Sequence, residues 1–241
     1  MVFRALILTM SFLFFSCSER QPVDSTKSNS YFIQNDRYYY IQNGNRLSEG
    51  KHQLKNVTGR LLILNEFIAM DDKTVYYKNH PQYHVDRNSF VVQNHVKKDK
   101  SHVYDWDFFK LNAVAVADPN TFQYEIIDSA NWSIWARDAN HYFASHHVAD
   151  VDFDSFQILN LMLAYDARYV YVRNRINLSK VANVTGSVKR VTKHFCTDSR
   201  FIYFYSFRKG FQMMPINIES GLTIIKDDEI KVGDSVISVY R

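Results

Sequence analysis

The 241-residue sequence has two cysteines, seven glycines and four prolines. With only Cys17 and Cys196, a disulfide framework of the small secreted kind is excluded, so stability must come from burial. Cys196 lies between Phe195 and Thr197, where a free thiol is expected to act as a small buried hydrophobe and not as a nucleophile. Seven scattered glycines form neither a phosphate-binding loop nor a dinucleotide fingerprint, no GxSxG elbow occurs, and no cofactor is implied. The net charge is only +4, with no run of five basic residues. Lys97, Lys98 and Lys100 therefore read as a solvated face, and no nucleic-acid partner is expected.

What the chain does have is aromatic residues, 16 Tyr and 18 Phe, within a 46% hydrophobic composition. Such residues favour pleated, half-buried strands, so the expectation is an all-β fold.

The first residues carry a different signal. Arg4 precedes an apolar run from Ala5 to Phe15, and Ser16 stands before Cys17. That is the layout of a secretory signal over residues 1–16, and the run falls short of the roughly 20 residues needed to cross a bilayer. A small residue before Cys resembles a bacterial lipobox, so Cys17 is the expected lipidation site. Residues 17–30 are polar and read as a tether, and the chain is placed at a bacterial cell envelope, outer membrane or periplasm-facing, held to the membrane by its lipid. Four N-x-S/T sequons, at Asn56, Asn131, Asn177 and Asn183, would carry sugar only in a eukaryotic secretory setting.

Beyond the tether a repeat dominates. DKSHVY from Asp99 to Tyr104 is echoed at Asp72 (DKTVYY, with Tyr76), Asp138 (DANHYF), Asp166 (DARYVY), Asp198 (DSRFIY) and, more loosely, Asp36 (DRYYYI). A second element, DPNTF from Asp118 to Phe122, returns as DRNSF from Asp86 to Phe90 and DFDSF from Asp152 to Phe156. In the first element Asp is expected to form a turn by accepting a backbone N–H two residues on, with a strand following. In the second, the Phe is expected to drop into the core. The pair is read with DPNTF following DKSHVY. The plug residues Phe90, Phe122 and Phe156 are 32 and 34 residues apart, a repeat period whose units must stack to bury their faces.

The predicted fold is an open, solenoid-like array of short antiparallel strands and hairpins. Irregular intervals of 36, 27, 39, 28 and 32 residues between successive repeat Asp argue against the alternative, a propeller-like ring. The expected divisions are an N-terminal β unit over 31–70, the repeats over 71–205 and a capping hairpin over 206–241. Asn43, Gly44 and Asn45 are expected to close a hairpin, and Arg60–Met70 to form a buried strand.

DKTVYYKN from Asp72, DKSHVY from Asp99 and DPNTF from Asp118 resemble the DKNYY family of bacterial repeat proteins over about residues 70–205. Members are often exported or predicted lipoproteins, and the resemblance implies no activity, substrate or cofactor.

Other chemistry is weaker. DVDFD at Asp150, Asp152 and Asp154 opens like a calcium loop, but Ser155 and Leu161 stand where such a loop needs Gly and Glu. His80 and His84 are four apart, with Pro81 opposing a helix between them, and His146 and His147 are adjacent. No catalytic or metal residue is assigned. The expectation is a non-enzymatic binding or scaffold surface for an envelope protein or glycan. The alternative is a carbohydrate-binding or carbohydrate-active protein, with tyrosines, Trp106, Trp132 and Trp135 stacking on sugars, or with Glu66 and Glu125 facing each other about 5–9.5 Å apart as in a glycosidase.

Overall fold

The computed structural model describes residues 19–107, 109–128, 133–174, 177–216 and 221–240. They form seven small antiparallel sheets, numbered here 1 to 7 along the chain, in each of which the strands pair in chain order. Six sheets have four strands, the last has three, and none closes into a barrel. The fold is thus all-β and repeated. Sheets 1 and 2 lie in one compact unit, Met1–Arg87, and sheets 3 to 7 in a second, Asn88–Arg241.

Strands of two to six residues alternate their side chains between faces, and in sheets 4, 5 and 6 each face meets a different neighbour. In sheet 5, Leu163 and Val170 enter a core with Cys196 and Tyr203 of sheet 6. The adjacent residues Ala164 and Tyr171 enter another with Trp135 and Ala144 of sheet 4. The same holds between sheets 3 and 4 through Val96, Val103, Ala136 and Phe143, and between sheets 6 and 7 through Phe195, Ile202, Ile230 and Ile237. In the first unit, Tyr31 and Tyr40 of sheet 1 meet Ile63, Ala69 and Tyr76 of sheet 2. Each fully buried side chain of this kind stabilises by roughly 1.5–3 kcal/mol before entropy is charged. Because each of these cores is shared by two neighbouring sheets, stability within a unit is close to a sum over adjacent pairs.

Four expectations need correction. The stretch read as a tether joins sheet 1 from Gln21 onward: Gln21–Pro22 pairs with Tyr31–Gln34, Val23 packs on the core, and Ser28 and Ser30 are buried. Its polarity concealed this, because the polar groups satisfy one another. Thr26 donates from N and Oγ1 to Asp24 at 3.0 and 2.6 Å, and Ser30 donates to Glu66. Cys17 and the apolar run before it lie outside the described residues.

The hairpin turn of sheet 1 is Asn35–Asp36, both at positive φ (50° and 56°), as a two-residue turn requires. Asn43–Asn45 instead lead through a 3-10 turn, Gln42–Gly44, into one helical turn, Arg46–Glu49, capped by the Asn45 side chain at Ser48 N. Arg60–Met70 is two strands, Leu62–Ile63 and Ile68–Met70, separated where Asn65 Oδ1 accepts from the N–H groups of Phe67 and Ile68, both at 2.9 Å.

At the other end the expected cap begins too early. Gly210–Pro215 is the last strand of sheet 6, and the closing element is a three-stranded meander of Leu222–Lys226, Glu229–Val232 and Ser235–Ser238.

Cys196 is fully buried, and burial, then the nearby Asp198 charge, pushes its thiol up to about 12. In a Cys17→Ser variant, a thiol reagent at pH 8 should therefore leave Cys196 unlabelled until denaturant unfolds sheet 6. Cys196→Ala should cost under about 1.5 kcal/mol, because Ala69, Ala136 and Ala164 fill the equivalent places, each two residues before its turn. Denaturant titration of the variant measures this.

Candidate functional site

The recurrent Asp is a lock built the same way in sheets 2 to 6. Oδ1 accepts the N–H groups two and three residues on: Lys73 and Thr74 at Asp71 (2.8 and 2.7 Å), Ser101 and His102 at Asp99 (both 2.8 Å), Asn140 and His141 at Asp138 (2.8 and 2.7 Å). Arg168 and Tyr169 do so at Asp166 (2.7 and 2.8 Å), and Arg200 and Phe201 at Asp198 (3.0 and 2.9 Å). Oδ2 accepts the phenol five residues on, from Tyr76 (3.0 Å), Tyr104 (2.5 Å), Tyr171 (2.5 Å) and Tyr203 (2.7 Å). In sheet 4 that place holds Phe143, and His141 Nδ1 lies 3.2 Å from Asp138 instead. All five carboxylates are buried. The lock in sheet 2 is Asp71, one residue before the expected Asp72, because only Asp71 stands five residues before Tyr76 as Asp99 does before Tyr104.

In sheets 2, 4, 5 and 6 a further donor reaches Oδ2 from the segment preceding the sheet: Thr58 N at Asp71 (2.7 Å), Asp118 N at Asp138 (3.0 Å), Asp152 N at Asp166 (3.1 Å) and Thr185 N at Asp198 (3.0 Å). The hydroxyls of that segment accept in return. Ser89 takes Lys100 N, Thr121 takes Ala139 N and Ser155 takes Ala167 N, at 3.1, 3.0 and 3.0 Å. The plug rings follow the same pairing, Phe90 against Tyr104, Phe122 against Phe143 and Phe156 against Tyr171. Thus DPNTF caps the Asp138 turn that follows it, and not the Asp99 turn before it. The Asp198 turn, which no such segment follows, is capped by Thr185 from upstream.

Burial is the largest influence on these carboxyls and pushes their pKa up, but the N–H and O–H donors together outweigh it. Asp71, Asp138 and Asp166 are held below the usual carboxylate range, and Asp198 falls to about 2. Such groups are poor proton acceptors near neutral pH. They are structural.

Two departures from the repeat remain. Six residues after the lock stand Tyr77, Val172 and Phe204, but also Asp105. Two residues before it, where Ala69, Ala136, Ala164 and Cys196 are buried, stands Lys97. Asp105 Oδ2 lies 3.1 Å from His146 Nε2, joining sheet 3 to the last turn of sheet 4. Burial first, then the Lys97 and His147 charges, lowers His146 to about 4, so at neutral pH it is an uncharged donor to Asp105. Burial also lowers Lys97, which Asp105 partly offsets.

The second departure is a groove between sheets 4 and 5, two adjoining depressions of about 340 Å³ each that share Val148 and Asp150. Four residues after the lock, Val75, Val103, Val170 and Ile202 are fully buried, whereas sheet 4 has the half-buried Tyr142, which lines the groove. Phe153, where the other plug segments have Arg87 and Pro119, lies 5.1 Å from it between ring centroids. Neither residue stood out in the sequence; the register of the locks is what exposes them. A separate depression of about 390 Å³ in the first unit, between Ile33 and Gly59, coincides with no departure of this kind.

The remaining sequence candidates are engaged elsewhere. Glu66 takes Ser30 Oγ and Asn29 N, and Glu125 takes Arg137 Nε and Gln123 Nε2. They lie in different units. His80 and Pro81 form a strand, so the spacing to His84 is not helical. Asp152 receives Ser155 Oγ, and Asp150 pairs with Lys180. Among the described residues no three His, Cys, Asp or Glu gather as a metal site. Trp135 is fully buried and donates to Asn160 O at 3.1 Å; the side chains of Trp106 and Trp132 lie outside the described residues.

The lock's phase is testable by stability. Asp71→Ala, which strands buried N–H groups, should cost at least about 3 kcal/mol, and Asp72→Ala within about 0.5 kcal/mol, read by denaturant unfolding. Because the folded carboxyls titrate lower than unfolded ones, their contribution is complete above about pH 4 and lost as pH falls towards 2. His146, with its folded value also lowered, gives stability that is complete above about pH 6.5 and declines towards pH 4. Circular dichroism across pH 2–8 should show both phases, the upper one disappearing in His146→Asn.

A profile of the DKNYY family matches residues 67–207. No curated protein and no solved structure matches the chain. The matched stretch runs from the second strand of sheet 2 to the turn before the last strand of sheet 6 and contains all five locks, so the chain belongs to the DKNYY family.

Proposed function

We propose that the protein is a non-catalytic lipoprotein of a bacterial envelope, whose repeat array serves as a binding or scaffold surface for an envelope protein or a glycan. The observation that carries the reading is the saturation of the recurrent carboxylates. Each accepts at least three hydrogen bonds, with four from separate donors at Asp71 and Asp166 and five at Asp198. What recurs along the chain therefore builds a frame, and the residues that vary between units are left to carry recognition. Glu66 and Glu125, the candidate acid pair of the hydrolase alternative, each have their own partners, which favours binding over hydrolysis. No cofactor and no nucleic acid enter this reading.

Attachment rests on Ser16 and Cys17 after the apolar run. No helix among the described residues is long and apolar enough to cross a membrane, so on this reading the acyl chains provide the anchorage. Mass spectrometry of membrane-extracted protein should find a diacyl or triacyl mass on Cys17 that vanishes in Cys17→Ser. An unmodified chain in the soluble fraction would remove the anchor from the proposal. Crosslinking in intact cells then identifies the envelope partner.

A further inference from the structure

We propose that the groove between sheets 4 and 5 binds a neutral saccharide. The inference rests on the binding-surface reading and names its ligand class. Three neighbouring departures from the repeat make the site. Tyr142 replaces a buried aliphatic, Phe153 replaces Arg or Pro, and Ala144 stands where Tyr77, Val172 and Phe204 fill space in other units. The first two put adjacent aromatic rings at the wall, and the third leaves room beside them.

The rim is polar and carries little net charge. Asn140 and His141 border one depression, and His147, Asn177 and Ser179 the other. Asp150 belongs to both. Its side chain is 94% exposed and is oriented by Lys180 Nζ at 2.8 Å, which also lies 4.9 Å over the Tyr169 ring. A pyranose has an apolar C–H face suited to an aromatic wall and hydroxyls that both donate and accept. Asn, Ser and His offer both roles, and carboxylates accept strongly. A purely apolar ligand would leave this rim unpaired, and an anion would meet Asp150. Both depressions border the edge strand His147–Val148 of sheet 4, and the second also borders the edge strand Leu178–Asn183 of sheet 5, so the groove is open along its length and suits a chain of sugars more than a single ring.

The test uses the full-length chain in detergent micelles, with cellotetraose and chitotetraose as probes, followed by saturation-transfer NMR. At least one should bind. Tyr142→Val and Phe153→Arg place in sheet 4 and in the plug segment before sheet 5 the residues that other units already use, so the fold is kept, and each should weaken binding about tenfold. Asp150→Asn alters only an exposed group and should weaken it about threefold. No binding of either sugar, or binding unchanged in Tyr142→Val, overturns the inference, and the binding-surface reading survives if crosslinks to an envelope protein persist. Binding lost in Tyr142→Val with the tetrasaccharide recovered intact supports both. Shortened products with the same loss keep the groove and overturn the non-catalytic reading.

Discussion

A carboxylate removed from water is costly unless several donors replace its hydration. In each of sheets 2 to 6 that requirement selects one arrangement: two backbone N–H groups from the turn itself, a phenol or imidazole from the outgoing strand and, in the locks of Asp71, Asp138, Asp166 and Asp198, a backbone N–H from the segment upstream. The turn thus fixes the strand register, because the Tyr must lie five residues beyond the Asp. The upstream segment fixes where the chain enters the unit. One side chain thus ties its own turn and the outgoing strand to a segment 13 to 20 residues upstream, and the aromatic plugs settle against the result.

Much of this was legible in the sequence. Asp followed by polar residues and then β-branched and aromatic ones announces a turn and a strand whatever the tertiary context, and the Phe of DPNTF announces a buried ring. The phase was not legible, since a segment lying between two turns can cap either, and only hydrogen bonds decide. Asp71 and Asp72 are adjacent, and the lysine after Asp72 imitates the one after Asp99, so the eye prefers the wrong residue. The polar residues of sheet 1 pair with one another and with Glu66, partnerships that no local period reports.

The groove shows the complementary limit. Tyr142 and Phe153 are two among many aromatic residues, and composition gives no reason to single them out. Aligned by their locks, they become exceptions to positions that are otherwise aliphatic, basic or proline, and so do Lys97 and Asp105. In a repetitive fold the informative residues are those that depart from the rule, since the rule itself is explained by packing.

The alternation of faces gives the array a direction. Three residues before the locks of sheets 2, 4, 5 and 6 stands the bulkier of two neighbours, Ile68, Trp135, Leu163 or Phe195, and the residue beside it is small. Within the second unit the bulky one points to the following sheet and the small one to the preceding sheet, so Trp135 and Ala164 share one core, and Leu163 and Cys196 another. Every such sheet therefore offers a projection on one side and a recess on the other. Duplication or loss of a whole sheet would still set a bulky residue against a small one at the new junction, so the sense of the pairing survives a change of length by entire modules. Sheet 3, with Lys97 at the position that is small in the other units, is where that regularity stops.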